Sequence, residues 1–208
     1  MLSHPIKAII FDLGNVIIDF DHTIAARRIC GLSDKTIEEI YRLFFDSGLT
    51  ALFEEGKVTP EDFFREVKNM LGLKIDYASF LPIWNEIFFL SEKNRQVYNL
   101  ANNLRSGYRI ALLSNINTLH YNYLKNNFPI FDVFEHIVLS FELGQRKPHP
   151  LIYQKALEIM GVKAESVFYT DDRPELIASA RQLGLTGAVF TGIAALKKEL
   201  INTGVRIN

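Results

Sequence analysis

Ile6 to Phe11 is a short apolar run, rich in β-branched residues, that stops abruptly at Asp12-Leu13-Gly14-Asn15. Because it is nearly continuous and does not alternate with polar residues, it predicts a strand buried on both faces and ending in a loop. The pattern then changes. Residues 22–90 carry helical periodicity almost throughout, broken at Gly48, Gly56 and Gly72. Ser33-Asp34 predicts one helix start. Thr59-Pro60-Glu61-Asp62 predicts another, with Thr59 as N-cap and Pro60 at the first helical position, where its missing N–H costs nothing.

From Ser91 onward helices and strands alternate. Helices are predicted from Ser91 to about Ser106, from Thr118 to Asn127, from Pro150 to Met160, from Pro174 to Leu183, and from near Gly192. Between them lie predicted strands at Tyr108 to Leu113, Ile137 to Leu139, Val167 to Tyr169 and Ala188 to Phe190. This alternation predicts an α/β fold with a doubly wound, mainly parallel sheet. The helical block falls between the first strand and the others. It therefore reads as an inserted helical cap, residues 21–90, over the sheet's carboxyl edge, where such sheets bind ligands. Residues 1–20 and 91–208 form the core.

Composition narrows the classes. The chain has 208 residues, 48% hydrophobic and 23% charged, enough apolar material for a sizeable core. A net charge of −1, without a basic stripe, argues against nucleic acid and anionic membranes as partners. The single cysteine, Cys30, cannot form an internal disulfide and reads as a small, mostly buried hydrophobe. No window reaches the length of a membrane span, and the first residues lack the pattern of a signal peptide, so the cytoplasm is the expected compartment. Nothing in the sequence fixes an oligomeric state; a monomer is the default.

Four polar clusters each follow a predicted strand, so all four should meet at one sheet edge. Asp12 closes the first strand and can attack phosphorus, bind a metal, or both. Ser114-Asn115 offers a hydroxyl and an amide as donors to phosphate oxygens. Lys147 can neutralise both the acids and a bound phosphate. Asp171-Asp172 near a third acid creates repulsion that a hard divalent cation relieves, Mg²⁺ above all. Each cluster alone has a plain structural reading: a turn former, a turn, a solvated lysine, a helix cap. The ordered set of four is much harder to obtain by chance.

With Phe11-Asp12-Leu13-Gly14-Asn15-Val16, Leu112-Leu113-Ser114-Asn115, Gly144-Gln145-Arg146-Lys147-Pro148 and Tyr169-Thr170-Asp171-Asp172 in that order, the chain resembles the haloacid dehalogenase-like (HAD) hydrolase superfamily with a helical cap. Within it the sequence looks similar to bacterial sugar-phosphate phosphatases of the glucose-1-phosphate type. The resemblance implies a Rossmann-like core and a Mg²⁺-dependent phosphatase acting through an aspartyl phosphate on a small phosphorylated metabolite. It implies Asp12 as nucleophile and metal ligand, Ser114 and Asn115 at the phosphoryl group, and Lys147 bridging Asp12 and phosphate. Asp172 is implied as metal ligand, Asp171 as ligand or supporting partner, and the Gly14 carbonyl as a further ligand.

One position departs from the family pattern. Gly14 stands where most family phosphatases carry a second Asp as general acid and base, help typically worth about 10²–10⁴-fold. Its absence should weaken turnover without abolishing it, and favours esters with a good leaving group, such as sugar 1-phosphates. Asp19, Asp21 and His22, where the chain enters the cap, are either hinge residues or substitute proton donors; Asp19 matches an acid common at that point in the family. Two rival readings use the same residues: a 2-haloacid dehalogenase, which the acid pair disfavours, and a catalytically silent binder of a phosphorylated metabolite. Phe44, Phe45, Phe63, Phe64, Phe88, Phe89 and Trp84 read mainly as cap core. His136 and His149 lack a partner at zinc spacing.

Overall fold

A computed structural model describes residues 4–45 and 48–207, with the side chains of residues 43–45 excepted. Five strands form one sheet in the order β5-β4-β1-β6-β7: β1 (Ala8–Phe11), β4 (Arg109–Ser114), β5 (His136–Leu139), β6 (Val167–Asp171) and β7 (Thr186–Val189). All pairings are parallel. β1 is central, and all four of its residues are buried, as an uninterrupted apolar run requires.

The strands' period-two alternation builds two cores. Ile9, Phe11, Ile110, Leu112 and Phe168 face one side. Ala8, Ile10, Ala111, Leu113, Val167 and Tyr169 face the other. Six helices of the core follow residue 91: α6 (Glu92–Leu104), α7 (Thr118–Asn127), the short α8 (Ser140–Leu143), α9 (Pro150–Met160), α10 (Pro174–Gln182) and α11 (Ile193–Asn202). The doubly wound parallel sheet matches the expected class.

The insert comprises α1 (His22–Cys30), α2 (Ile37–Phe45), α3 (Gly48–Glu54), α4 (Pro60–Leu71) and α5 (Tyr77–Asn85). It has its own apolar cluster, centred on Phe53, Phe63, Phe80 and Trp84. Phe53 and Phe63 stack at 4.3 Å between centroids. Thr59 caps α4 through the Asp62 N–H, and Pro60 opens it, as predicted. Cys30 is half-buried, packs against this cluster and is a free thiol. Phe64 packs at its edge, whereas Phe88 packs on the sheet core and Phe89 is exposed. The side chains of Phe44 and Phe45 lie outside the described residues.

Two features differ from the sequence reading. The helix expected to open at Ser33-Asp34 begins instead at Ile37, capped by Thr36 and Glu39 reciprocally: the Glu39 N–H donates to Thr36 Oγ1 (3.2 Å) and the Thr36 N–H to Glu39 Oε2 (2.8 Å). Ser33 spends its hydroxyl on the Leu71 carbonyl, 2.6 Å away. The insert is also not purely helical. β2 (Asp19–Phe20) and β3 (Phe88–Phe89) pair antiparallel where the chain leaves and re-enters the core. No described helix is long and apolar enough to cross a membrane.

Candidate active site

The loops after β1, β4 and β6 meet at the sheet's carboxyl edge, together with the loop after α8 that carries Lys147. Asp12, Ser114, Lys147 and Asp171 are all buried there. The Lys147 ammonium donates to Asp12 Oδ1 (2.6 Å), Asp171 Oδ2 (2.7 Å), the Leu113 carbonyl and the Tyr169 hydroxyl (both 3.1 Å). Tyr169 in turn donates to Asp171. A buried cation held by two carboxylates and two neutral acceptors is a rigid point charge.

Asp12, Asp171 and Asp172 each bring a carboxylate oxygen within 4.8 Å of the others. Three hard oxygen donors against one buried ammonium leave excess negative charge, which fits a divalent cation. The acids do not contribute alike. Asp171 is fully buried, with Oδ2 on Lys147 and Tyr169 and Oδ1 accepting the Arg173 N–H at 2.9 Å. Asp172 lines the cavity and has one oxygen, Oδ2, taken by the Asn15 amide at 2.8 Å. Asp172 thus faces the cavity, whereas Asp171 is taken up by Lys147 and Tyr169.

Crowding shows in the proton affinities. Burial, reinforced by the charges of Asp171 and Asp172 and opposed by Lys147, pushes the Asp12 carboxyl up to about 7. Asp172 is also raised, by burial first and Asp171 second, against the Asn15 hydrogen bond. Lys147 stays charged because Asp12 and Asp171 outweigh its burial. A divalent cation held by Asp12 would have to displace its proton, so Mg²⁺ affinity is expected to weaken as pH falls through 7. Calorimetric titration with Mg²⁺ at pH 6 and pH 8, in two buffers of different ionisation heat, checks this through the protons released.

Asn115 lines the cavity beside Ser114. Its Oδ1 accepts the Lys147 N–H (2.7 Å) and its Nδ2 donates to the Lys147 carbonyl (2.9 Å), so both ends of the amide clamp the lysine backbone. Asn115→Ala is expected to lower kcat by about 10–10² while moving KM little, because misplacement of Lys147 acts on the reacting geometry. Steady-state kinetics on one phosphomonoester measures the split.

Asp19 is not brought to the cavity. Its carboxylate accepts from Lys93 (2.6 Å), Ser91 (2.7 Å) and Asn94 (3.2 Å), and these bonds, opposing burial, lower its pKa. It ties the start of α6 to the β2 ribbon. Asp21 caps α1 through the Thr23 N–H. Of the three polar residues at the cap entrance only His22 lines the cavity.

The cavity has a volume of about 270 Å³. Besides Asp12, Ser114, Lys147 and Asp172, its walls include Asn15, Arg146 and Arg173 from the core and Thr50 and Glu54 from α3. Sequence reading missed Asn15, Arg146 and Glu54 as site residues. Asn15 alone carried a signal. It is the only described non-glycine residue with positive φ (57°), a conformation Asn tolerates, and this turn aims its amide at Asp172. Gly14 is needed by packing. A Cβ there would sit 2.7 Å from Phe20 Cε1, and Phe20 is held against His22 and Phe88. The space of the missing second acid is thus filled by an aromatic ring. Gly14→Asp is expected to cost about 1–3 kcal/mol in urea unfolding by overpacking and to bring no gain in rate.

A buried strand-end aspartate and a lysine bridging it to a second acid thus stand together at the sheet's carboxyl edge, with the helical insert beside them. The chain belongs to the haloacid dehalogenase-like hydrolases: that family's sequence profile matches residues 6–184. A D-ribitol-5-phosphate phosphatase of Bacteroides thetaiotaomicron is 25% identical over 185 residues, covering 86% of this chain and 89% of that protein. A glyceraldehyde 3-phosphate phosphatase of Pyrococcus furiosus is 27% identical, covering 81% and 73%. A solved HAD family enzyme from Bacteroides thetaiotaomicron, in complex with magnesium and inorganic phosphate, superposes with a TM-score of 0.78 at 28% identity over 88% of this chain and 93% of that one. The chain is an enzyme of the phosphatase type within this family.

Proposed function

We propose that this phosphatase hydrolyses a small sugar or polyol phosphate with Mg²⁺ through an aspartyl phosphate on Asp12. The observation that carries the reading is Lys147, buried and bonded at once to Asp12 and Asp171 inside a three-acid cluster that opens on a small polar cavity. A cavity of about 270 Å³ suits a phosphoryl group and a short polar body rather than a nucleotide or a lipid. The relatives' names, a pentitol phosphate and a triose phosphate phosphatase, support the same size class.

Asp12, Asp172 and the Gly14 carbonyl would hold the cation, which when bound neutralises charge on Asp12 and the phosphoryl oxygens. Lys147 adds a second fixed charge and the Ser114 hydroxyl orients the group for in-line attack. Asp12 then attacks phosphorus, the alcohol leaves, and water hydrolyses the acyl phosphate. The acid trio disfavours a dehalogenase, whose halocarboxylate substrate is itself an anion. The core of residues 1–20 and 91–208 supplies this chemistry, and the insert of residues 21–90 selects the substrate.

Phosphate release from pentitol phosphates, hexose 1- and 6-phosphates, triose phosphates, nucleotides and an aryl phosphate, with Mg²⁺ and with chelator, tests the proposal. Mg²⁺-dependent release that favours the small polyol and sugar esters is the expected result. Chloride release from 2-chloropropionate with no phosphate release would replace it by the dehalogenase reading.

A further inference from the structure

We propose that Glu54, at the end of the cap helix α3, is the proton donor and acceptor of this site, in the role that Gly14 cannot fill. The inference rests on the phosphatase reading above and adds a catalytic residue to it.

Three observations converge on Glu54. First, the usual position is closed: the Phe20 ring occupies the space a side chain at Gly14 would need. The proton must come from elsewhere on the cavity wall. Second, Glu54 lines both the main cavity and an adjoining recess of about 70 Å³, and shares both with Ser114, Gly14 and Phe20. It therefore borders the same space as Ser114 and the Gly14 turn. Third, it is fixed there by the docking of the cap. Its carbonyl accepts from Ser140 Oγ at 2.6 Å, and its carboxylate lies 3.4 Å from Arg146. Two residues on, Gly56 packs so closely on α8 that a Cβ would meet the Phe141 carbonyl oxygen at 2.3 Å.

His22 is the other titratable candidate on the wall outside the acid trio and the three cations. Burial lowers its pKa to about 4, so it is neutral at pH 7 and a weak base, and its ring packs on Phe20 at 4.7 Å. Glu54 has the complementary setting. Burial raises its carboxyl pKa; Arg146, Arg173 and Lys147 oppose this, and the neighbouring Glu55, itself paired with Lys57, adds to it. A carboxyl with raised proton affinity is a better proton donor than a solvated one and, once ionised, a better base.

Asp12 forms a bond to phosphorus as the ester P–O bond breaks, and the leaving oxygen takes the proton of the Glu54 carboxyl, giving alcohol, aspartyl phosphate and Glu54 carboxylate. Water then attacks phosphorus and gives its proton to Glu54. The bond from phosphorus to Asp12 breaks with its electron pair returning to the carboxylate.

The test compares Glu54→Gln with wild type on ribitol 5-phosphate, whose alkoxide needs a proton, and on 4-nitrophenyl phosphate, whose leaving group does not. The expected result is a fall in kcat/KM of about 10²–10³ for the alkyl ester and only a few-fold for the aryl ester, with loss of the alkaline limb of the alkyl-ester pH profile. Arg146→Gln, which removes the cap contact and keeps the carboxyl, should lower both esters by one common factor. Equal losses on the two esters in Glu54→Gln, or unchanged kcat/KM, overturn the proposal and leave Glu54 a latch. Wild-type protein that releases no phosphate from the aryl ester with Mg²⁺ overturns the phosphatase reading itself, a distinct outcome.

Discussion

Lys147→Met is expected to abolish turnover and to cost about 3–5 kcal/mol of stability, the usual penalty for removing one partner of a buried ion pair. The side chain is only 2% exposed and has four hydrogen-bond acceptors, two of them carboxylates. Methionine fills the volume but leaves Asp12 and Asp171 facing each other without a cation. The loss should depend on pH. Asp12 already holds its proton to about 7 in the folded protein, against 3.8 for an ordinary Asp. A raised carboxyl binds its proton more tightly folded than unfolded, so its contribution favours folding at low pH and declines as pH rises through that window. Without Lys147 the carboxyl rises further, and the deficit widens at higher pH. Urea unfolding of metal-free protein at pH 5 and pH 8 should show the larger difference from wild type at pH 8. A constant deficit would mean that packing, not charge, is what Lys147 supplies.

Asp12→Asn has the opposite profile. Activity should fall by about 10⁴-fold or more, because a carboxamide cannot open the covalent route. The fold should survive, since Lys147 keeps Asp171, Tyr169 and the Leu113 carbonyl as partners. One of three crowded acids is removed, so metal-free stability at pH 8 should equal or exceed wild type. Mg²⁺ should then raise the melting temperature less than it does in wild type. Thermal melts with and without Mg²⁺, beside phosphate-release assays, separate the catalytic loss from any structural one.

The residues legible in advance were those whose signal is local. A buried apolar run ending in a polar side chain marks a strand end in one dimension, and this happened three times, at Asp12, Ser114 and the Thr170-Asp171 pair. Thr59-Pro60 and Ser91 announced their helices because a cap acts within one turn. The start of α2 was misread although Thr36-x-x-Glu39 is a capping pair. Ser33-Asp34 carries the same cap chemistry, and only the contact of Ser33 with Leu71 excludes it. The β2–β3 ribbon was invisible because two residues per strand show no period. Glu54 and Arg146 were missed for a deeper reason. Each looks like a surface charge in its own segment, and only the seating of α3 on α8 brings them to one wall. Asp19 failed the other way. It sits near the cavity in sequence, but Ser91, Lys93 and Asn94 at the start of α6 turn its carboxylate into a tie between that helix and the β2 ribbon.

The proposed turnover runs through a covalent intermediate on Asp12. Rapid quench in acid during turnover of a ³²P-labelled phosphomonoester with Mg²⁺, followed by proteolysis and mass spectrometry of the labelled peptide, tests it most directly. Label is expected on the peptide containing Asp12, formed and lost at rates that match turnover, and absent from Asp12→Asn. Full phosphate release without label at any quench time, or label confined to another residue, would contradict it.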